Sequence, residues 1–269
     1  MNVGITGSSG FLGKHLIKEL RKRKITFSIF DRKEHNLFNA SSLKNFVSKN
    51  DIIVHLAGVN KDGDLEDALR VNILGTKTLL DAIIAYNKNI KFIFASSFGV
   101  YQKHDIFGLS KKIAEELIRE HASKHKFKSV ILRFSNIYGL GAKPFRHSAL
   151  TTFVYLVKKG EPITLHGDGT QERDYLYVDD AINALVESFR CNSEKTETYD
   201  VCSGSKISLN ELLKIITKIS KKTVSINKEK NFVNQSIYNC PKKLRYLLNW
   251  RPEVSLEEGL EIVINQLRT

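Results

Sequence analysis

The chain has 269 residues, 42% hydrophobic and 26% charged, enough to bury a core as one large domain or as a domain with a smaller lobe. No apolar run reaches the ~18 residues that span a bilayer, so no membrane association is expected. The formal net charge of +13 comes from short groups such as RKRK 21–24, SKK 220–222 and PKK 241–243, without a basic arm or interleaved aromatics, and reads as solvated surface rather than a nucleic-acid footprint.

In chain order, NVGIT 2–6 predicts a first strand and FLGKHLIKELRKR 11–23 an amphipathic helix. TFSIF 26–30 and DIIVHLA 51–57 predict two more strands, followed by one long helix over 64–86. IKFIFASS 90–97, a helix over 107–125 and KSVILRFS 128–135 continue the alternation. Short apolar strands separated by helices specify an α/β fold with a doubly wound parallel sheet. Beyond residue 135, SNIYGLGAKPFRH and LHGDGTQERDYLYVDD read as loops bracketing a helix near 147–159. After Ser208 come two or three helices and a short strand, TVSI 223–226. The expected division is a sheet domain of residues 1–135 plus about 179–202, and a smaller C-terminal lobe of about 136–178 and 203–269 with Trp250 in its core. Cys191, Cys202 and Cys240 are odd in number and lack CxxC spacing, which predicts reduced thiols and no metal site. Strand-like residues from Asn2 leave no room for a leader, and a cytoplasmic location is expected.

TGSSGFLG 6–13 sets Gly7, Gly10 and Gly13 between the first strand and the first helix. Glycines let the backbone turn and approach a pyrophosphate, while the helix N-terminus offers N–H donors and the positive dipole end. In this Rossmann-type reading Gly7, Ser9, Gly10, Phe11, Leu12 and Gly13 cradle a dinucleotide. Asp31, at the end of the second strand, would accept hydrogen bonds from the adenosine ribose, which favours NAD. Arg32 and Lys33 follow directly and would instead suit the 2′-phosphate of NADP.

HLAGVN 55–60, VNILGTKTLLDA 71–82, ASSFGVY 95–101, LRFSNIYG 132–139, GDGTQERDYLYVDD 167–180 and LNWRPEVSLEEGL 248–260 follow that loop. In this order the motifs resemble the extended short-chain dehydrogenases/reductases, specifically the nucleotide-sugar epimerase/dehydratase group, over nearly the whole chain. The resemblance implies that Leu56, Ala57 and Gly58 line the cofactor and that Asn72 lies near the catalytic lysine, Lys111. It further implies that Ser97 is the catalytic serine and that Asn136, Arg173 and Tyr101 serve the substrate, with Arg173 at the diphosphate. The implied ligands are NAD and a nucleoside-diphosphate sugar, and a homodimer through the helices 64–86 and 107–125 is expected. In such enzymes a hydride moves between C4 of the sugar, or a related carbon, and the nicotinamide, while a tyrosine carries the hydroxyl proton.

The chain departs from the pattern at that tyrosine. Phe107 stands four residues before Lys111, where the Tyr-x-x-x-Lys motif has its acid–base. Phenylalanine keeps the ring and removes the proton carrier, which typically costs ~10²–10⁴-fold in rate. A deliberate substitution or a recent loss would leave one conservative change of this kind. Tyr101 and Tyr138 are the other hydroxyls expected near the sugar, but neither sits one turn from Lys111. The expected function is C4 epimerisation of a nucleotide sugar, impaired in this chain. The alternatives are a reductase of a nucleotide 4-keto sugar, favoured by the short span between Asp31 and Asp51, and a non-catalytic NAD- and sugar-nucleotide-binding protein. Lys228 or Lys230 would have to replace a second diphosphate-binding arginine. His121 and His125 read as a solvated helix end, His55 as a core histidine, and Asp179 or Asp180 as a helix cap.

Overall fold

A computed structural model describes residues 1–59, 64–102, 105–229 and 250–266, which fall into two compact units. The first comprises residues 1–134 and 182–200, and the second comprises residues 135–181, 201–229 and 251–266. Trp250, expected in the core of the final lobe, is buried and groups with the first unit.

The first unit is built on a six-stranded sheet in the order β2-β1-β3-β4-β5-β9. Its strands are β1 (Asn2–Thr6), β2 (Thr26–Ile29), β3 (Ile52–His55), β4 (Lys91–Ser97), β5 (Lys128–Phe134) and β9 (Glu197–Val201). The registers Val3↔Phe27, Val3↔Ile52, Ile53↔Phe92 and Phe94↔Ile131 are parallel. Parallel strands covered on both faces need near-continuous apolar sequence, and β3 is buried at every position. Phe92, Phe94 and Ile53 meet Leu79, Leu80, Ile83 and Ile118 in one core. Helix α1 (Phe11–Lys22) follows β1; between β2 and β3 the short span still holds α2 (Lys44–Ser48), with Phe46 and Val47 buried.

The helix expected over 64–86 is interrupted. α3 (Leu65–Asp67) runs into a π-helical stretch, Ala68–Gly75, before α4 (Thr76–Tyr86). The side chain of Thr76 donates to the carbonyl of Asn72, so the widened turn is tied down at the residue whose side chain faces inward. Helix α5 (Ile106–His125) starts at Asp105, whose carboxylate accepts the Phe107 N–H at 3.2 Å.

The second unit corrects the expectation of loops. SNIY contains β6 (Asn136–Tyr138), and the stretch after it contains β7 (Ile163–His166) and β8 (Glu172–Tyr177). β6 pairs with β8 in parallel, Asn136↔Tyr175 and Tyr138↔Tyr177, and β10 (Lys206–Ser208) pairs with β8 antiparallel. These strands of three to six residues are too short for periodicity to reveal. The strand expected at 223–226 is shifted to β11 (Ile226–Glu229), which runs parallel to β7. Helices α6 (Ala149–Lys159), α8 (Leu209–Ser220) and α9 (Leu256–Gln266) complete this unit, and α7 (Val178–Glu187) straddles the division. Asp179 and Asp180 lie in the first turn of α7, and the Asp180 carboxylate accepts the backbone N–H groups of Glu253 and Val254 at 3.0 and 3.1 Å.

Cys191 is a free thiol, and Cys240 lies outside the described residues.

Candidate active site

The residues of the first unit singled out by sequence follow the carboxyl ends of successive strands, where open α/β sheets bind ligands. Gly7, just after β1, has φ +70°, and a Cβ there would lie 2.6 Å from the backbone nitrogen of Ala57. A Cβ on Gly13 would lie 2.3 Å from the Gly7 carbonyl oxygen, so α1 packs directly on the loop. Gly10 is the N-cap of α1, without a side-chain capping bond and with no acidic residue in the first turn. The positive end of that helix is thus shaped for an anion. Ser9 is exposed, Leu12 is half-buried, and the Phe11 ring meets His15 edge-on at 5.1 Å. After β2, the Asp31 carboxylate accepts the Lys33 N–H at 2.9 Å, while Arg32 is exposed.

Asn72, Lys111 and Gly58 come together. A Cβ on Gly58 would lie 2.9 Å from Asn72 Oδ1 and 3.3 Å from Lys111 Nζ. Asn72 Oδ1 accepts the Val59 N–H at 2.9 Å, and its Nδ2 donates to the Val59 carbonyl at 3.1 Å and to Ser110 Oγ at 2.9 Å. Ser110 in turn donates to the Phe107 carbonyl at 2.8 Å. One side chain therefore ties the loop after β3 to the first turn of α5. Lys111 is buried, donates to the Ala95 carbonyl at 2.9 Å, and lies over the rings of Phe94 and Phe107 at 4.7 and 5.9 Å. Burial lowers its pKa to about 8, against a smaller upward pull from Glu115, so the ammonium form prevails at neutral pH.

Behind Asn72 runs a relay that the sequence did not reveal. Thr76 Oγ1 spends its proton on the Asn72 carbonyl at 2.7 Å and must accept from His55 Nε2 at 3.0 Å. His55 Nδ1 is then the acceptor for Thr6 Oγ1 at 2.7 Å, and Thr6 accepts the Ala57 N–H at 3.1 Å. His55 is the core histidine expected, and it is neutral: burial, and secondarily the Lys111 ammonium, lower its pKa to about 3.

Ser97 ends β4, and its Oγ accepts the Gly99 N–H at 3.1 Å. Gly99 and Gly108 touch backbone to backbone; a Cβ on Gly108 would lie 2.0 Å from the Gly99 carbonyl oxygen. That contact sets the start of α5, and with it Phe107, against the chain just after Ser97. The ring ends in carbon, so the position is filled and carries no hydroxyl.

Neither alternative tyrosine is placed to act as a base. Tyr101 donates to the Asp200 carboxylate at 2.7 Å and accepts from Arg133 at 2.7 Å, and burial first, then Asp200, pushes its pKa up to about 12. Arg133 also clamps Glu115, which receives Ser96 Oγ and Arg119 as well. Burial alone would raise the Glu115 pKa, but the Arg133 and Ser96 hydrogen bonds hold it below the usual range. Thr76 and Arg133 lie within the motifs VNILGTKTLLDA and LRFSNIYG but were not singled out there, and Glu115 and Ser110 had no signal beyond sharing a helix with Lys111.

Asn136 and Arg173 belong to the second unit. Asn136 donates to the Asp174 carbonyl at 3.0 Å, and Arg173 Nη1 donates to the Glu172 carbonyl at 2.8 Å. Tyr138 directs its hydroxyl to the carbonyls of Ser255 and Leu256, and burial raises its pKa. Lys228 donates to the Asp168 carbonyl at 3.0 Å, and Lys230 lies outside the described residues. His121 hydrogen-bonds the Leu117 carbonyl, and among the described residues no group of three or more side chains is placed to hold a metal ion. No described helix is long and apolar enough to cross a membrane.

A family model described as the NAD dependent epimerase/dehydratase family matches residues 3–202. The chain is 30% identical to an Escherichia coli dTDP-4-dehydro-6-deoxyglucose reductase, over 98% of this chain and 96% of that protein. It is 28% identical to a Bacillus cytotoxicus UDP-N-acetyl-alpha-D-glucosaminuronate decarboxylase, over 98% and 97%. Its fold superposes on Thermotoga maritima UDP-glucose 4-epimerase, solved with UDP-glucose, with a TM-score of 0.86, 26% identity and 98% coverage of both chains.

Proposed function

Since the chain belongs to the NAD dependent epimerase/dehydratase family, we propose that it binds NAD and a nucleoside-diphosphate sugar, and that Phe107 slows or silences the reaction the scaffold would otherwise carry out. The observation that carries this is a complete lysine assembly, Lys111 with Asn72 and Gly58, beside a ring without a hydroxyl.

The glycine loop fits the cofactor because the volumes of the absent Cβ atoms at Gly7 and Gly13 are already taken by neighbouring backbone, and the N-cap Gly10 brings no side-chain capping bond to the start of α1. In this reading Gly7, Ser9, Gly10, Phe11, Leu12 and Gly13 hold the pyrophosphate, Asp31 with Arg32 the adenosine ribose, and Leu56, Ala57 and Gly58 the adjoining edge. When bound, NAD supplies a hydride acceptor and donor. Lys111 holds the nicotinamide ribose, and Ser97 hydrogen-bonds the reacting hydroxyl of the sugar. Asn136, Arg173 and Tyr101 serve the sugar nucleotide, with Arg173 at the diphosphate and Tyr101 through its exposed ring, its hydroxyl being already committed to Asp200 and Arg133. A tyrosine at position 107 would take and return the hydroxyl proton with the Lys111 ammonium lowering its pKa; Phe107 leaves binding and removes this step.

The reaction favoured for the tyrosine-bearing form is C4 epimerisation. Reduction of a nucleotide 4-keto sugar is the second reading, favoured by the short segment between β2 and β3 and by the 30% identity to a reductase. The test compares the chain with Phe107→Tyr, each with NAD and a panel of UDP- and dTDP-hexoses and, separately, with NADH and a dTDP-4-keto sugar, by chromatography of the products. Phe107→Tyr is expected to raise the rate ~10²–10⁴-fold. Epimer without net NADH identifies the epimerase; one NADH consumed per 4-keto sugar identifies the reductase. Equal turnover by both forms rejects the role of position 107.

We also propose a homodimer through α3, α4 and α5. Leu65, Leu74, Ile106 and Leu109 on these helices and the π-helical stretch are 54, 54, 49 and 57% exposed, an apolar set that water would otherwise cover. Light scattering should give a dimer for the chain and a monomer for Leu109→Glu.

A further inference from the structure

Lys111 is buried, and one helical turn beyond it on α5 stands the buried carboxylate of Glu115. The two side chains reach adjacent residues of β4. Lys111 donates to the Ala95 carbonyl at 2.9 Å, and Glu115 accepts Ser96 Oγ at 2.6 Å, immediately before Ser97. Glu115 Oε1 also accepts Arg133 Nε at 2.9 Å, while Oε2 accepts Arg133 Nη2 at 2.6 Å and Arg119 Nη2 at 3.0 Å. These bonds use all the lone pairs of a carboxylate, so Glu115 has none to spare for the lysine. Arg133 comes from β5, and its Nη1 donates to Tyr101. One carboxylate therefore ties together the helix of Lys111, the strand of Ser97 and the partner of Tyr101.

We propose that Glu115 is a positioning residue for Lys111: pinned to β4, it sets the lysine at the Ala95 carbonyl and supplies its counter-charge from one turn away. The inference rests on the sugar-nucleotide reading above for what Lys111 does, and adds Glu115 to it. Burial drives an ammonium to shed its proton, and a nearby negative charge opposes this. A direct ion pair would give the same protection but would spend N–H groups that a ligand needs. Lys111 gives one of its three donors to Ala95, and its Nζ lies 3.3 Å from where a Cβ on Gly58 would be, so the glycine keeps it approachable. Glu115 supplies charge without taking a donor, because Ser96, Arg133 and Arg119 hold it back. The other charged or titratable groups near the pair are His55 on β3, which is neutral, Arg119 on α5, Arg133 on β5 and Asp200 on β9.

The titration of Lys111 itself tests this, read by NMR of isotope-labelled lysine side chains in the whole chain, with Lys111→Arg identifying the signal. In the unaltered chain its midpoint should lie at about pH 8. Glu115→Gln leaves the two arginines uncompensated and should bring the midpoint to about pH 7 or below. Glu116→Gln removes an exposed carboxylate from the same helix and should leave it in place. Because Glu115→Gln also loses stability, Arg119→Gln is the second arm: Arg119 is partly exposed, and without it the Glu115 charge is less compensated, so the midpoint should rise. An unchanged midpoint in Glu115→Gln, or in Arg119→Gln where the first variant does not fold, overturns the proposal. An equal fall in Glu116→Gln also overturns it, since the effect would then be one of overall charge. A midpoint of the unaltered chain in the ordinary lysine range overturns the premise of a desolvated ammonium. Neither nucleotide nor sugar is added, so failure of the sugar-nucleotide reading leaves the titration result standing and the two failures are told apart.

Discussion

In the first unit a buried carboxylate, Glu115, receives Ser96, Arg119 and two nitrogens of Arg133, while in the second unit a buried hydroxyl, that of Tyr175, has no hydrogen-bond partner among the described residues. The same contrast holds for the groups around them. Asn72 uses both ends of its amide, and His55 is bonded at both ring nitrogens. Gln171 in the second unit has a buried oxygen left over. A polar network satisfied from within fixes its geometry before any ligand arrives. The network around Lys111 is therefore fixed from within, whereas Tyr175 and Gln171 keep a buried polar atom without a partner among the described residues, as Asn2 Oδ1 does in the first unit.

The largest expected effect that would break this comparison is at Glu115. Glu115→Gln keeps the shape and removes the charge, leaving Arg133 and Arg119 partly buried, with side chains 20 and 29% exposed. Removing one partner of a buried ion pair costs about 3 kcal/mol, at the low end because the arginines keep some water. Urea unfolding at neutral pH measures it. A variant as stable as the parent would mean that the satisfied network adds nothing and that the two units do not differ in the way described.

Much of this contrast could not be read from the sequence, for identifiable reasons. The glycine loop and the Asn72, Ser97 and Lys111 positions were legible because each is a residue type at a fixed spacing on a regular element. The sheet was legible because a strand such as β3 is apolar at three of its four positions. His55 could be assigned to the core but not to a relay, since its partners Thr6 and Thr76 are 49 and 21 residues away. Glu115, on α5, looked like any surface glutamate until Arg133, 18 residues on, closed over it. The π-helical turn at Asn72 leaves no trace in periodicity, because a single inserted residue shifts the apolar pattern by less than the pattern's own scatter. Strands β6, β7 and β8 lay hidden among turn residues.

The smaller effect that sharpens the comparison is the pH dependence of the His55 relay. In the folded chain its pKa is lowered to about 3, against an ordinary value of 6.5, because burial and then the Lys111 ammonium disfavour the charged ring. Between pH 6.5 and 3 the unfolded chain binds a proton that the folded chain refuses. This contribution to stability is therefore complete above pH 6.5 and falls away as the solution is acidified, by up to ~1.4 kcal/mol per pH unit. His55→Gln cannot take up that proton. At pH 7 it should be less stable than the parent by ~1–2 kcal/mol, from the broken bonds to Thr6 and Thr76. Urea unfolding at pH 7, 6, 5 and 4 should then show the parent losing its advantage step by step. Curves that stay parallel would mean that the ring already takes a proton in the folded chain. Thr6 and Thr76 would then have to reverse their hydrogen bonds, and the tautomer that links the glycine loop to Asn72 would be wrong.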